Sequence, residues 1–277
     1  METWIEFLKA LLFGVVEGIT EWLPISSTGH LILLDELVKL KVSPEFMDMF
    51  EVVIQLGAIL AVILLFFHKL NPFAPSKSSI EKKDTWVLWL KVVIAIIPSG
   101  IIGVLLDDWM TAHLHTPVVV AAALILYGIA FLFLEKLRPQ DSVRVHEVGQ
   151  IDYKTAFLVG CFQVLSLIPG TSRSGSTILG GMLLGLSRGA SAEFSFFMAI
   201  PTMVGASGIK ALKFILSGNP ITGLEWGVLG VAFLSAFLVS LVAIRFLMDF
   251  VKKHSFSAFG WYRIALGLLV LGWFFLF

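Results

Sequence analysis

The sequence is poor in charged residues and has a single cysteine. Asp, Glu, Lys and Arg make up 14% of the 277 residues, whereas an ordinary soluble protein carries about 25%. The formal net charge is zero, which argues against nucleic acid as a partner. With Cys161 alone, an intrachain disulfide and a cysteine-based zinc site are excluded. Because Cys161 lies in an apolar segment, we expect it to be a small buried hydrophobic residue.

Hydrophobic residues make up 57% of the chain, more than a soluble core can absorb, so a lipid bilayer is the natural solvent. A helix that crosses a bilayer needs about 20 mostly apolar residues. The sequence therefore predicts an all-α integral membrane protein with six transmembrane helices. These six segments are residues 47–67, 86–106, 117–136, 191–216, 224–250 and 257–277.

Two further apolar segments, residues 4–38 and 154–188, are interrupted in the middle. The first interruption reads Glu21-Trp-Leu-Pro-Ile-Ser-Ser-Thr-Gly-His30, and the second reads Leu167-Ile-Pro-Gly-Thr-Ser-Arg-Ser-Gly-Ser-Thr177. Irregular backbone is tolerated at membrane depth only where protein or a water-filled cavity covers it. We therefore expect two re-entrant helix hairpins, with two continuous kinked spans as the alternative.

The order of a broken hairpin followed by three spans occurs twice. We predict that residues 1–137 form a first repeat and residues 150–277 a second repeat within one integral membrane domain. Because three spans is an odd number, the second copy would enter from the opposite side, giving an inverted-topology repeat. A shift of 146 residues aligns Ser26 with Ser172.

Basic residues are concentrated in three of the predicted loops, at residues 68–85, 137–153 and 251–256. Loops 107–116 and 217–223 carry no Lys or Arg. Since cytoplasmic loops carry an excess of Lys and Arg, we expect the three basic loops to be cytoplasmic and both termini to lie outside.

Two carboxylates lie in the first interrupted segment. Glu17 and Glu21 are four residues apart, so on a helix they share one face. Such a pair can hold a hard divalent cation, which prefers oxygen ligands, or one carboxylate can act as a general base. The alternative is a carboxylate at a helix end that accepts hydrogen bonds from backbone amides.

A run of hydroxyl side chains follows these carboxylates. If a helix restarts at Ser26, Ser27 and Thr28, its free N–H groups form an anion site. Ser27 and His30 are three apart, and a hydroxyl beside an imidazole is typical of an activated nucleophile. For Ser26 and Thr28, helix capping is an equally good interpretation.

The second interruption places Arg173 among several hydroxyls. The planar guanidinium suits phosphate oxygens, while the alternative is that Arg173 merely neutralises Glu17 or Glu21. Gly170 and Gly175 would let the backbone approach closely. If the repeat brings both interruptions together, the combined groups fit phosphoryl transfer, in which the protein positions the substrate and stabilises charge.

These motifs also resemble those of a known family. Glu17-x-x-x-Glu21 followed by Pro24-Ile-Ser-Ser-Thr-Gly-His30 resembles the first signature of bacterial undecaprenyl-pyrophosphate phosphatases, which are also called bacitracin-resistance proteins. Pro169-Gly-Thr-Ser-Arg-Ser-Gly-Ser-Thr177 is similar to their second signature. The resemblance extends over essentially the whole chain.

The resemblance implies a multi-pass enzyme of the bacterial plasma membrane whose site opens to the outer face. Its substrate would be undecaprenyl pyrophosphate, hydrolysed to undecaprenyl phosphate and inorganic phosphate, which recycles the lipid carrier for cell-wall synthesis and confers bacitracin resistance. Glu17 and Glu21 would bind a divalent cation, Mg²⁺ or Ca²⁺, or handle the proton. Ser27 would be the nucleophile and His30 its acid/base partner.

On the same resemblance Arg173 would grip the pyrophosphate. Because inverted repeats with broken helices are also transporter architecture, a transporter or flippase of a lipid phosphate or an anion is the alternative function. The sequence leaves the oligomeric state open, with a homodimer among the possibilities. The remaining substrate-binding candidates are Ser26, Thr28, Gly170, Ser172, Ser174, Ser176 and Thr177.

Overall fold

The computed structural model describes residues 2–114, 116–137 and 142–276, and the predicted basic loop 137–153 therefore lies partly outside the described residues. In those ranges the chain is helical, and the β pairing is one isolated parallel bridge between Val145 and Leu186. The helices are α1 (Glu2–Thr20), α2 (Ser27–Val38), α3 (Pro44–Leu65), α4 (Phe67–Leu70), α5 (Ser79–Leu114), α6 (Pro117–Leu137), α7 (Tyr153–Val164), α8 (Arg173–Leu183), α9 (Arg188–Leu216), α10 (Gly223–Lys253) and α11 (Ser257–Leu276).

Six of the described helices are long and apolar enough to cross a membrane, namely α3, α5, α6, α9, α10 and α11. The predicted number of spans is therefore confirmed, as is the all-α class of membrane protein. The predicted loop at residues 107–116 is mostly wrong, because α5 continues to Leu114. Hydropathy ends the span at Leu106, but a helix needs no apolar residues to continue beyond the membrane.

Two interruptions of regular helix coincide with the two that the sequence predicts. Residues 21–26, here called the first break, separate α1 from α2. Residues 165–172, the second break, separate α7 from α8 and begin with one turn of 3₁₀-helix. The re-entrant course of the two hairpins through a membrane stays a prediction.

Helices from the two halves of the chain pack in corresponding pairs. Helix α1 lies on α10, and α7 lies on α5. At Gly14 in α1 an added Cβ would come within 2.2 Å of the Ala232 carbonyl oxygen, and at Gly160 in α7 within 1.9 Å of the Ala95 carbonyl oxygen. Small residues let helix backbones approach this closely. The equivalent contacts agree with the two repeats, whose bounds and inverted orientation stay predictions.

Hydrogen bonds gather the three basic loops at one end of the molecule. Lys91 in the N-terminal half of α5 donates to the Gly149 carbonyl at 3.0 Å, and Lys69 pairs with Glu193 of α9. The backbone N–H of Phe256, in the third loop, donates to Glu135 at the end of α6. This shared end is what the six-span topology requires, although its cytoplasmic location stays a prediction.

The opposite end contains the start of α1. Glu6 accepts a hydrogen bond from the backbone N–H of Lys41 at 2.8 Å. Glu225 near the start of α10 accepts from both the N–H and the hydroxyl of Ser43, the N-cap of α3. The start of α1 thus lies beside the starts of α3 and α10, and the opposite entry of α1 and α7 stays a prediction.

One expectation from the sequence is wrong: Cys161 in α7 is exposed rather than buried. An apolar neighbourhood in the sequence does not distinguish a residue packed in the core from one that faces outward from a membrane protein. In such proteins the outer surface is apolar as well, because lipid replaces water around the spans.

Candidate active site

The two breaks meet each other in the interior. The hydroxyl of Ser174, in the first turn of α8, donates to the carbonyl oxygens of Glu21 at 3.0 Å and Leu23 at 3.2 Å. These bonds satisfy carbonyl groups that the first break removes from helical hydrogen bonding. The structure thus brings together the two interruptions that the sequence places 146 residues apart.

Each break ends in a serine that caps the next helix. Ser26 Oγ accepts from the N–H of Gly29 at 3.3 Å, and Ser172 Oγ accepts from the N–H of Gly175 at 3.1 Å. Both serines have positive φ, 73° at Ser26 and 74° at Ser172, a region that costs L-residues energy and often marks functional sites. The capping interpretation of Ser26 is therefore confirmed, and a role in substrate binding stays a prediction for both.

Arg173 connects α8 to the first break. Its Nη2 donates to Glu21 Oε1 at 2.8 Å, and its Nη1 donates to the carbonyl of Ser195 at 2.7 Å and to the Ser195 hydroxyl at 3.1 Å. The guanidinium carbon also lies 5.8 Å from the ring centroid of Trp22. From the sequence, one alternative was that Arg173 neutralises Glu17 or Glu21. The structure shows this ion pair with Glu21. The Nε–H of Arg173 is buried without a partner among the described residues.

Ser27 has Glu21 as its partner rather than His30. The Ser27 hydroxyl donates to Glu21 Oε2 at 2.7 Å. Both ring nitrogens of His30 are used elsewhere, by the carbonyl of Ser26 and the hydroxyl of Tyr262. The expected contact between hydroxyl and imidazole is therefore replaced by a contact between hydroxyl and carboxylate. The three-residue spacing failed as a guide because Ser27 is the first residue of α2, where the side chain can turn back to α1.

Glu21 is consequently the centre of the cluster, because one carboxylate oxygen faces a cation and the other faces a hydroxyl. The Ser27 hydroxyl donates to this carboxylate at 2.7 Å, which is the distance required of a general base. The arrangement of nucleophile, base and the group that orients the base is the one expected for covalent catalysis.

Glu17 lies one helical turn before Glu21 in α1 and is fully buried. Both of its carboxylate oxygens lack a hydrogen-bond partner among the described residues. A buried carboxylate without a partner is costly, so this side chain has unused capacity to bind a cation or a proton. No group of three or more His, Cys, Asp or Glu side chains that could hold a metal ion occurs in the described ranges.

The other predicted hydroxyls are mostly used inside the protein. Ser172 and Ser174 share a hydrogen bond at 3.1 Å, and Ser176 donates to the carbonyl of Arg173 at 3.0 Å. Thr177 donates to the same carbonyl at 2.8 Å and bonds to the Ser195 hydroxyl at 2.7 Å. Thr28 is exposed. These contacts order the start of α8, while contact of each hydroxyl with substrate stays a prediction.

The close backbone approach expected at Gly170 is made with the protein itself. Gly170 has a φ of +88°, and a Cβ there would lie 2.4 Å from the carbonyl oxygen of Val120. A residue other than glycine would therefore be strained and would also displace α6. Gly170 shapes the second break, and its part in substrate binding stays a prediction.

Sequence reasoning missed Arg263, which lies in the span α11. It is fully buried and donates to the carbonyl oxygens of Pro24 at 3.0 Å, Gly170 at 2.9 Å and Thr171 at 2.9 Å. Its guanidinium carbon lies 5.4 Å from the ring centroid of Tyr127. One side chain therefore holds both breaks. An arginine inside an apolar span is itself a signal of function, and that signal was available in the sequence.

Two further residues were missed because no sequence motif marks their positions as functional. Ser195 lies inside α9 and contacts both Arg173 and Thr177. Tyr262 of α11 bonds to His30. A serine or a tyrosine within a span is ordinary in sequence terms, and only the tertiary structure brings these two to the breaks.

Known proteins resemble this chain along nearly its whole length. The model of the bacitracin resistance protein BacA family matches residues 10–269. A protein of Streptococcus thermophilus named undecaprenyl-diphosphatase is 58% identical over 267 residues, covering 96% of this chain and 93% of that protein. One of the same name from Lactiplantibacillus plantarum is 55% identical over 270 residues, covering 98% of both chains. The chain belongs to the bacitracin resistance protein BacA family.

Proposed function

We propose that this chain hydrolyses undecaprenyl diphosphate to undecaprenyl phosphate and inorganic phosphate. The reaction returns the lipid carrier to cell-wall synthesis and confers bacitracin resistance. The names of the relatives and of the family support this activity. The structural observation that carries it is the Glu21 carboxylate, which lies between the Ser27 hydroxyl at 2.7 Å and the Arg173 guanidinium at 2.8 Å.

In the proposed mechanism the Ser27 oxygen attacks the terminal phosphorus while its proton passes to Glu21 Oε2. The bond between this phosphorus and the bridging oxygen breaks, and undecaprenyl phosphate leaves with that oxygen. Water then hydrolyses the phosphoserine and releases inorganic phosphate. The contact that supports Ser27 as nucleophile is its hydrogen bond to a carboxylate.

Arg173 supplies positive charge where the phosphate would lie. Two of its nitrogens are held by Glu21 and Ser195, so the guanidinium is fixed before substrate arrives. Its Nε–H is free of partners among the described residues and is one donor that a phosphate oxygen could accept. Fixed donors aimed at developing charge are the main source of catalysis in phosphoryl transfer.

We propose that a divalent cation, Mg²⁺ or Ca²⁺, binds to Glu17, with Glu21 as a second ligand through the lone pairs that Arg173 and Ser27 leave. Glu17 offers two oxygens without partners in the described part of the chain, and Mg²⁺ is commonly bound by one or two carboxylates plus substrate phosphates and water. Two protein carboxylates are therefore enough for such a site. When bound, the cation would neutralise phosphate charge and make the leaving phosphate a better leaving group.

We further propose that the site opens to the outer face of the bacterial plasma membrane, with the two hairpins re-entrant. The support is that the basic loops share one end of the molecule and α1 starts at the other. The lipid tail of the substrate would reach the site between the helices. A homodimer remains part of the proposal.

The test is phosphate release from undecaprenyl diphosphate by purified protein in detergent, with and without a chelator. We expect Ser27→Ala to lose at least about 10²-fold in kcat, as loss of a nucleophile or base does. The control is Ser235→Ala, a buried serine whose hydroxyl bonds within its own helix α10, and it should keep full activity.

Three outcomes would each contradict part of the proposal. Folded wild-type protein that releases no phosphate under any divalent cation would leave transport of a lipid phosphate as the better hypothesis. Full activity in Ser27→Ala would assign the attack to a water activated by Glu21 instead. Activity that survives the chelator would remove the cation from the mechanism.

A further inference from the structure

The two hydrogen bonds of His30 fix the tautomer of its imidazole. Nδ1 lies 2.7 Å from the carbonyl oxygen of Ser26, and Nε2 lies 2.7 Å from the hydroxyl oxygen of Tyr262. A carbonyl has no proton to give, so Nδ1 carries the hydrogen. In the neutral ring Nε2 is then the acceptor, and Tyr262 donates to it.

The two rings are also nearly parallel and meet edge to edge through this hydrogen bond. The imidazole of His30 and the phenol of Tyr262 have centroids 5.6 Å apart and planes that differ by 4°. A hydrogen bond between parallel rings restrains rotation of the imidazole about χ2. The bond to Ser26 alone would restrain this rotation less. Both the proton position and the orientation of His30 are therefore determined by its two partners.

Tyr262 is placed by the same helix that holds the breaks. The next residue, Arg263, is fully buried and donates to carbonyls of both breaks. Tyr262 itself is 45% exposed. Consecutive residues of α11 thus serve two purposes, because Arg263 fixes the backbone of the breaks and Tyr262 reaches the imidazole from the accessible side.

We propose that Tyr262 is a positioning residue for the reaction and acts through His30. It holds the imidazole as the Nδ1–H tautomer, and its hydroxyl is the group through which Nε2 exchanges a proton with its surroundings. The inference rests on the proposed phosphatase function. Because the Ser27 hydroxyl bonds to Glu21, the proton that His30 handles in this proposal is not that of Ser27 but that of the water that hydrolyses the phosphoserine.

One hydroxyl is sufficient for both charge states of the imidazole. With neutral His30, the phenol O–H donates to Nε2. When Nε2 takes a proton, the imidazolium donates from both nitrogens, and the phenol oxygen accepts instead. The hydroxyl hydrogen then points away from Nε2. The phenol O–H passes its hydrogen to Nε2 while the half-exposed phenol oxygen takes a proton from solvent water, and the reverse transfers return it, so a proton enters or leaves without movement of either ring.

The test is Tyr262→Phe, which removes one oxygen and retains the aromatic ring. We expect kcat for phosphate release to fall about tenfold with KM unchanged, which corresponds to the loss of one hydrogen bond. Tyr153→Phe is the matched control, because Tyr153 is 46% exposed and lies at the start of α7, and we expect it to retain wild-type kinetics.

A double-mutant cycle separates action through His30 from a direct or structural effect. In a His30→Ala background, Tyr262→Phe should cause no further loss of kcat. A tenfold loss that persists in that background, or wild-type kinetics in the single variant, would overturn the inference.

Spectra of protein labelled with ¹⁵N in histidine give a second readout that does not depend on activity. The His30 signals, assigned by their loss in His30→Ala, should indicate the Nδ1–H tautomer in the wild type. In Tyr262→Phe they should shift towards a mixture of tautomers. An unchanged His30 spectrum would contradict the proposed role of Tyr262, whereas absent wild-type phosphate release would contradict the proposed function alone.

Discussion

Glu21 accepts hydrogen bonds from Arg173 and from Ser27 in a buried environment. In a region of low dielectric, a charge is tolerable only when it is paired. In the proposed mechanism the ion pair between Glu21 and Arg173 therefore has two roles, since Arg173 orients the base beside the proposed nucleophile and Glu21 orients the guanidinium beside the proposed substrate position. The two roles can be separated by substitution.

We predict that Glu21→Gln lowers both activity and stability. The variant loses the base, and it leaves Arg173 as a buried cation without its counter-ion, which typically costs about 3–5 kcal/mol. Adding Arg173→Met should restore much of the thermal stability in detergent and none of the phosphate release. Recovery of activity in the double variant, or a single variant as stable as wild type, would contradict this account of the pair.

At the scale of the helices, close approach between α7 and α5 depends on one position. A Cβ at Gly160 would come within 1.9 Å of the carbonyl oxygen of Ala95 in the neighbouring helix. The clash is with backbone, so no side-chain rotation can relieve it, and the helices must separate. Separation would also move the second break, which follows α7 directly.

We predict that Gly160→Ala lowers the melting temperature in detergent and reduces phosphate release, because overpacking costs about 1–3 kcal/mol. The matched control is Gly208→Ala in α9, where nothing lies within 4 Å of an added Cβ. That variant should be at least as stable as wild type, since alanine is the better helix former. Equal melting temperatures for the two variants would show that α7 and α5 can separate freely.

The helices and breaks were predictable because they depend on local sequence. Hydropathy indicates the spans, and Pro, Gly and runs of hydroxyl residues indicate where a helix is interrupted. Six spans and two interruptions follow from such patterns. The pairing of Arg173 with a carboxylate also followed from the sequence, as the alternative to phosphate binding. The partner of Ser27 was not predictable, because Glu21 reaches it across a break whose path is not helical. Ser195 and Tyr262 were not predictable either, since only the packing of α9 and α11 brings them to the site.

On the scale of the whole molecule, Arg263 connects three parts of the chain that are distant in sequence. Its donors satisfy the carbonyls of Pro24 in the first break and of Gly170 and Thr171 in the second. Each of these carbonyls has lost its helical partner and lies away from bulk water. A lysine has one nitrogen in place of the guanidinium fork and cannot donate in both directions with the same geometry.

We predict that Arg263→Lys destabilises the protein by about 1–3 kcal/mol for each carbonyl left without a donor and abolishes phosphate release. Arg245→Lys in α10 makes the same substitution outside the two breaks and should leave both properties unchanged. Melting in detergent and phosphate release would be measured for both variants. A stable Arg263→Lys enzyme with normal kcat would show that the two breaks hold each other without α11.

The position of Arg263 near the C-terminal end of the chain also has a consequence for biosynthesis. A ribosome delivers the first break, then the second break, and α11 only after both. Until α11 is inserted, the carbonyls of both breaks have no guanidinium to bind. The proposed catalytic centre would therefore be complete only once α11 has been inserted, so a chain that already holds both breaks in the membrane would still be inactive.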